Sequence, residues 1–135
     1  MSKISLAPNA SGSGTITLSA PNTNSDVTLV LPASITTLTD ASTISISFAD
    51  NCNFTVTLGG NRTMDNPSSP TEGQTGSIFI VQDATGSRTL AWSSNWEFSN
   101  GTAPTLTTTA NAVDRVDYVV RSSTSIQAVF TANYS

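Results

Sequence analysis

Histidine is absent from this 135-residue chain, and cysteine and lysine occur once each. Without an imidazole there is no Ser–His or Cys–His pair for nucleophilic catalysis, and Lys3 sits at the terminus, away from any serine motif. One cysteine excludes an intrachain disulfide. Cys52 falls in CNFTVTL, on the strand face of Phe54, Val56 and Leu58, and is expected to be a buried core thiol. Charged residues make up 10% of the chain, against about 25% in ordinary globular proteins. The net charge is −4, and the four arginines are scattered at 62, 88, 115 and 121. That leaves no basic footprint for nucleic acid and no polybasic patch for an anionic membrane. No apolar run approaches the ~20 residues of a membrane span. The opening MSKISLAPNASGSG lacks the apolar core of a signal peptide, so export by a cleaved signal is not expected.

Good helix formers are also scarce: glutamate occurs only at Glu72 and Glu97. What fills the chain instead is 21 serines and 22 threonines, about a third of all residues. Threonine favours strands and serine favours turns and edges, so an all-β protein is expected. Short segments with a period of two recur between turn-rich connections: 4–6, 14–20, 27–31, 43–48, 52–58, 88–92, 112–120 and 125–134. The segment SIFIV (77–81) is apolar on both faces and reads as a central strand. The last two segments make a closing hairpin across RSSTS. An antiparallel β-sandwich or barrel-like domain follows, preceded by an extended β arm. The boundary is placed between an arm at 1–42 and a globular domain at 43–135, because every aromatic residue lies at or beyond Phe48. An arm with no aromatics buries little by itself and is expected to pair with the main domain or with another subunit. The phrases LAPNASGSG and SAPNTNSDV form a weak repeat of about 13 residues, too short to mark a solenoid.

The carboxylates do not assemble into a catalytic set. Asp114 and Asp117 are three apart on one strand, so they point to opposite faces and cannot converge as a glycosidase pair. Asp117 shares its face with Arg115 and Arg121, an ordinary surface ion-pair cluster. Glu97, between Trp96 and Phe98, is either an acid in an aromatic cleft or a carboxylate on a rim. The Asp83–Gly86 turn could offer oxygens to calcium, but no run of acidic ligands accompanies it and a plain turn is the simpler reading. GSGT (12–15) lacks the lysine and helix of a phosphate loop. Five N-x-S/T sequons, at Asn9, Asn53, Asn61, Asn100 and Asn133, are largely what this composition produces by chance. No catalytic, cofactor-binding or metal-binding residue is therefore assigned, and the chain is expected not to be an enzyme.

Trp92 and Trp96 are the only tryptophans, four residues apart in QDATGSRTLAWSSNWEF. They suit either an exposed ligand platform or a core. Burying a large aromatic removes ~150–250 Å² from water, worth roughly 4–6 kcal/mol. That favours the core for Trp92, and for Trp96 the core or a subunit interface, with the two rings facing each other across a turn.

From Asn61 onward the chain resembles a β-rich module of tailed-bacteriophage structural proteins. The matching residues are Gly73, Gln74, Gly76, Gln82, Asp83, Thr85, Gly86, Arg88, Thr89, Trp92, Phe98, Gly101 and Pro104. The resemblance covers roughly 54–135. It implies a virion structural protein, commonly a homotrimer, whose partners are copies of itself, the major capsid protein or other virion proteins, and host glycans. A short chain with its own Met1 suits a capsid decoration (cement) protein on the outer shell. The alternative is a tail-fibre or spike module that contacts host-surface glycans. A cellular carbohydrate-binding module is a third reading, from another class.

Overall fold

A computed structural model of the chain describes residues 34–49 and 51–134. Nine strands follow in order: β1 (Thr36–Thr37), β2 (Thr43–Ile44), β3 (Asn53–Leu58), β4 (Arg62–Met64), β5 (Thr75–Gln82), β6 (Leu90–Trp92), β7 (Trp96–Phe98), β8 (Val113–Ser122) and β9 (Ser125–Thr131). A single 3-10 turn at Ser99–Gly101 is the only helical element among the described residues. The segments 4–6, 14–20 and 27–31, GSGT at 12–15 and most of the arm read from the sequence lie outside the described residues. Within the described part, residues 34–42 supply β1 and the buried Leu38.

The fold is all-β, with mixed sheets. A six-stranded sheet runs β1-β3-β5-β8-β9-β7 and a three-stranded sheet runs β2-β4-β6. Five of the seven pairings are parallel; antiparallel pairing is confined to β5–β8 and β8–β9. The all-β class expected from the sequence holds, but the antiparallel pairing expected for a sandwich or barrel-like domain is corrected to mixed sheets in which parallel pairs predominate. From β1 to β6 the chain alternates between the two sheets, winding as a two-sided coil in which each strand lies parallel to the one two places earlier. The hairpin of β8 and β9 then closes the larger sheet, as the sequence suggested.

Alternation explains the core. Phe54, Val56 and Leu58 on β3, with Ile78 and Ile80 on β5 and Val116, Tyr118 and Val120 on β8, turn inward from the large sheet. Ile44, Ile46 and Phe48 face them with Met64 and Leu90. Phe48 is the hub: its ring stacks on Tyr118 at 4.5 Å and on Phe54 at 5.8 Å, and meets Trp96 edge-on at 6.2 Å. β5 is a central strand, with Phe79 and Val81 half-buried on its other face.

Polar residues hold the corners of the coil. Asp40, after β1, takes the Arg62 guanidinium in a two-point contact at 2.7 Å and accepts from the Gly59 amide. Asp83, after β5, accepts both Nε and Nη2 of Arg88 on Oδ2, at 3.1 and 2.7 Å, and the Thr85 and Gly86 amides on Oδ1. Arg62 and Arg88 hold both carboxyls below the usual aspartate range, their side-chain hydrogen bonds being the main cause. Gln82, buried at the inward end of β5, closes the Asp83 loop by pairing with both backbone groups of Arg88. Gly86 adopts φ +73, and a side chain there would strike the Thr108 carbonyl. At the opposite corners, the Asn51 amide donates to the Ser34 carbonyl and the Thr36 hydroxyl, and Gln74 donates to the Phe48 carbonyl.

Candidate binding surface

The outer face of the large sheet carries the residues with the most open chemistry. Across β7, β9 and β8, register places Glu97 opposite Gln127 and Gln127 opposite Val119, with Asp117 opposite Val129 one step along. These side chains line a shallow groove of about 530 Å³, flanked by Phe98 and Ser99. Val129 is 66% exposed and Val119 43%. Glu97 is exposed, and its Oε2 accepts the hydroxyl of buried Ser125 at 2.8 Å. Asp117 accepts the Ser77 hydroxyl at 2.6 Å and pairs with Arg115 at 2.9 Å, while Arg115 also lies 4.8 Å from the Tyr134 ring centre. Arg121 reaches the Ser125 hydroxyl rather than joining the Asp117 cluster.

Asp114 and Asp117 lie on opposite faces, as strand geometry requires. Asp114 is buried and takes three donors: the Thr107 amide, the Thr107 hydroxyl and the Asn133 amide, at 2.7–2.9 Å. It ties the segment after β7 and the C-terminal residues to β8, so its role is structural. The acid in the groove is Glu97, on the rim rather than in an aromatic cleft.

The tryptophans face each other across the Ser93–Asn95 turn, centroids 5.1 Å apart and edge-on. Their environments reverse the expected ranking. Trp96 is 7% exposed and donates its indole N–H to the Asp65 carbonyl at 2.9 Å. Trp92 is half-buried at the margin of the core, edge-on to Phe98 at 5.0 Å, and its indole N–H has no partner among the described residues. Trp92 ends β6, an edge strand, whereas Trp96 begins a strand paired into the large sheet, and this decides which ring is enclosed. Cys52 precedes β3 and is half-buried; its carbonyl, not its thiol, is the structural group, accepting from the Tyr118 hydroxyl and the Ser77 amide. The Asp83 turn is a self-contained clamp with its oxygens engaged by Arg88 and by amides. Among the described residues, no three Cys, Asp or Glu side chains gather where a metal could be held. Of the sequon asparagines, Asn53 accepts the Ser77 amide of β5, Asn61 accepts the Thr89 amide just before β6, and Asn100 and Asn133 occupy left-handed backbone positions.

Sequence reasoning did not find Gln74, Gln82 and Asn51 as corner ties. The available signal was Gln82 itself: it continues the inward positions of Ile78 and Ile80, where an amide needs partners. Of the residues that carry the resemblance noted above, Gln74, Gln82, Asp83, Gly86 and Arg88 shape or clamp corners, and Gly76 lies within β5 against the Cys52 carbonyl.

A family model described as "Putative phage tail fibre C-terminal domain" matches residues 48–125, more than half of the chain, from Phe48 through β3–β8 to the first residue of β9. No curated protein and no solved structure matches it significantly.

Proposed function

The chain belongs to the phage tail fibre C-terminal domain family, and on that premise we propose that it is a non-enzymatic tail-fibre module that contacts host-surface glycans through the groove between β7, β9 and β8. Membership makes it a structural protein of a phage virion, on the tail. The observation that carries the reading is the family match over 48–125, which includes β7 and β8, two of the three strands that line the groove; Gln127 and Val129 on β9 lie just beyond it. It supports the tail-fibre alternative better than the capsid-decoration reading. The groove adds chemistry that suits a sugar. Exposed carboxylate and amide oxygens at Glu97 and Gln127 accept hydroxyls, and the methyls of Val119 and Val129 offer apolar contact to ring C–H groups. Groups of this kind fix orientation in a mostly apolar site. Homotrimer assembly belongs to the same proposal.

Titrating the protein with host surface oligosaccharides, followed by amide chemical shifts, tests it. Binding should perturb β7 and β9, and Glu97→Gln and Gln127→Ala should each weaken it about tenfold, about 1.4 kcal/mol. Both positions are exposed, so the melting temperature should stay within a degree or two. Wild-type binding by both variants would remove the groove from the site. Hundreds of copies per purified virion would return the protein to the capsid shell.

A further inference from the structure

We propose that Ser125 fixes the Glu97 carboxylate as a hydroxyl acceptor, so that the groove takes uncharged sugars and rejects acidic ones; this rests on the glycan reading of the groove and names the class of sugar. Glu97 is exposed on β7, and a long exposed side chain ordinarily keeps its rotamer freedom. Here one of its oxygens is held. Ser125, 5% exposed at the start of β9, donates its hydroxyl to Glu97 Oε2 at 2.8 Å. A hydroxyl has one proton to give, and the Ser125 oxygen also takes Arg121 Nη1 at 3.4 Å. The serine is itself fixed by backbone. It pairs with Ser122 in the β8–β9 ladder, and the amide of the next residue, buried Ile126, donates to the Asn95 carbonyl at 2.8 Å. The tether uses Oε2, so a ligand in the groove meets Oε1 in a preset direction.

Register supplies the second polar group. Glu97 lies opposite Gln127 across parallel β7 and β9. Adjacent strands are about 4.8 Å apart, so the carboxylate and the amide can serve two hydroxyls of one sugar ring. Val119 and Val129 border them with apolar surface. The charged residues that line the groove are Glu97 and Asp117, both carboxylates. A carboxylate offers acceptors only, which suits a hydroxyl and opposes a second anion. The neighbouring arginines turn to the protein: Arg115 holds Asp117 at 2.9 Å, and Arg121 reaches Ser125. A uronate entering beside Glu97 therefore meets like charge, and juxtaposed like charges suppress the wrong partner.

Two oligosaccharides that differ only in a terminal glucose or glucuronate test this on the full chain, followed by amide chemical shifts. The glucose form should perturb β7 and β9. The glucuronate form should bind about tenfold more weakly at low salt, with the gap narrowing as salt rises. Glu97→Gln should narrow the gap at low salt as well, because the charge is gone. Ser125→Ala should weaken the glucose form several-fold while the glucuronate form stays disfavoured. Three-bond couplings of Glu97 should report one χ1 rotamer in the parent and lose it in Ser125→Ala, a readout that needs no ligand. Equal binding of the two sugars at β7 and β9 would overturn the inference and leave the groove reading standing. Perturbation by neither sugar would overturn both. Parent-like couplings and affinity in Ser125→Ala would overturn the positioning role of Ser125.

Discussion

The Tyr118 hydroxyl donates to the Cys52 carbonyl at 2.8 Å, passing the position on β5 where Gly76 has no side chain. A Cβ at Gly76 would sit 1.7 Å from that carbonyl and 2.7 Å from the Tyr118 oxygen. Both obstacles are fixed in place, one as backbone and one by stacking on Phe48. Gly76→Ala should therefore destabilise the protein on the order of 3 kcal/mol, measured by urea denaturation. A loss below about 1 kcal/mol would mean that β3 and β5 can part without cost.

The same tyrosine makes stability fall in alkali. Burial, and secondarily the nearby Cys52 thiol, push its phenol well above the ordinary value of 10.0. A group whose folded value is raised stabilises fully below its unfolded value and loses that contribution as pH climbs towards the folded one. Unfolding free energy should then decline above about pH 10. Tyr118→Phe should lower stability at neutral pH by roughly 1–2 kcal/mol and flatten the alkaline decline. Parallel pH profiles for the two proteins would refute the assignment to Tyr118.

In acid the corner aspartates act with the opposite sign. Asp40 and Asp83 have folded values held below 3.8 by Arg62 and Arg88, so their contribution is present above about pH 4 and lost as pH falls through the depressed values. Exposed ion pairs are weak singly, so the doubly substituted Asp40→Asn, Asp83→Asn protein is the informative one. Its circular-dichroism melting temperature should lie below the parent's at pH 7 and converge with it near pH 2.

The tryptophans should separate under the same substitution. Trp96→Phe removes the donor that satisfies the Asp65 carbonyl and opens space in the core, costing about 2–3 kcal/mol. Trp92→Phe removes from the core margin an indole N–H with no partner among the described residues, and should cost less than about 1 kcal/mol. Denaturant titration ranks them, and the reverse order would contradict the packing.

The inward faces of the strands were legible from residue pattern alone. Ile44, Ile46 and Phe48 are buried although only Thr43–Ile44 forms regular strand, because alternation reports side-chain direction whether or not a ladder forms. The pattern says nothing about partners, so Phe54 beside Ile78 in parallel and Ile78 beside Val116 in antiparallel look alike in sequence. β4 was missed because Arg62–Met64 is too short to show a period. In the groove, Glu97 was visible as an acid among aromatics, but its neighbour Gln127 belongs to a strand 30 residues later and meets it only through register. The family match covers the Gln82–Asp83–Arg88 clamp, which is local in sequence and can be read there; the Asp40–Arg62 tie, 22 residues apart, and the coil it holds are not.

The corners have one more consequence. Successive turns of the coil differ by up to ten residues in length, yet Val56 still meets Ile80 and Ile44 still meets Met64. The extra residues, such as Asp83–Thr89 between β5 and β6, lie between the strands rather than in them. Doubling a loop costs only about 0.6 kcal/mol in closure entropy. Insertions at these bends can thus reshape the outside of the molecule while the interior stays as it is, giving the protein a place to accept sequence change at little thermodynamic cost.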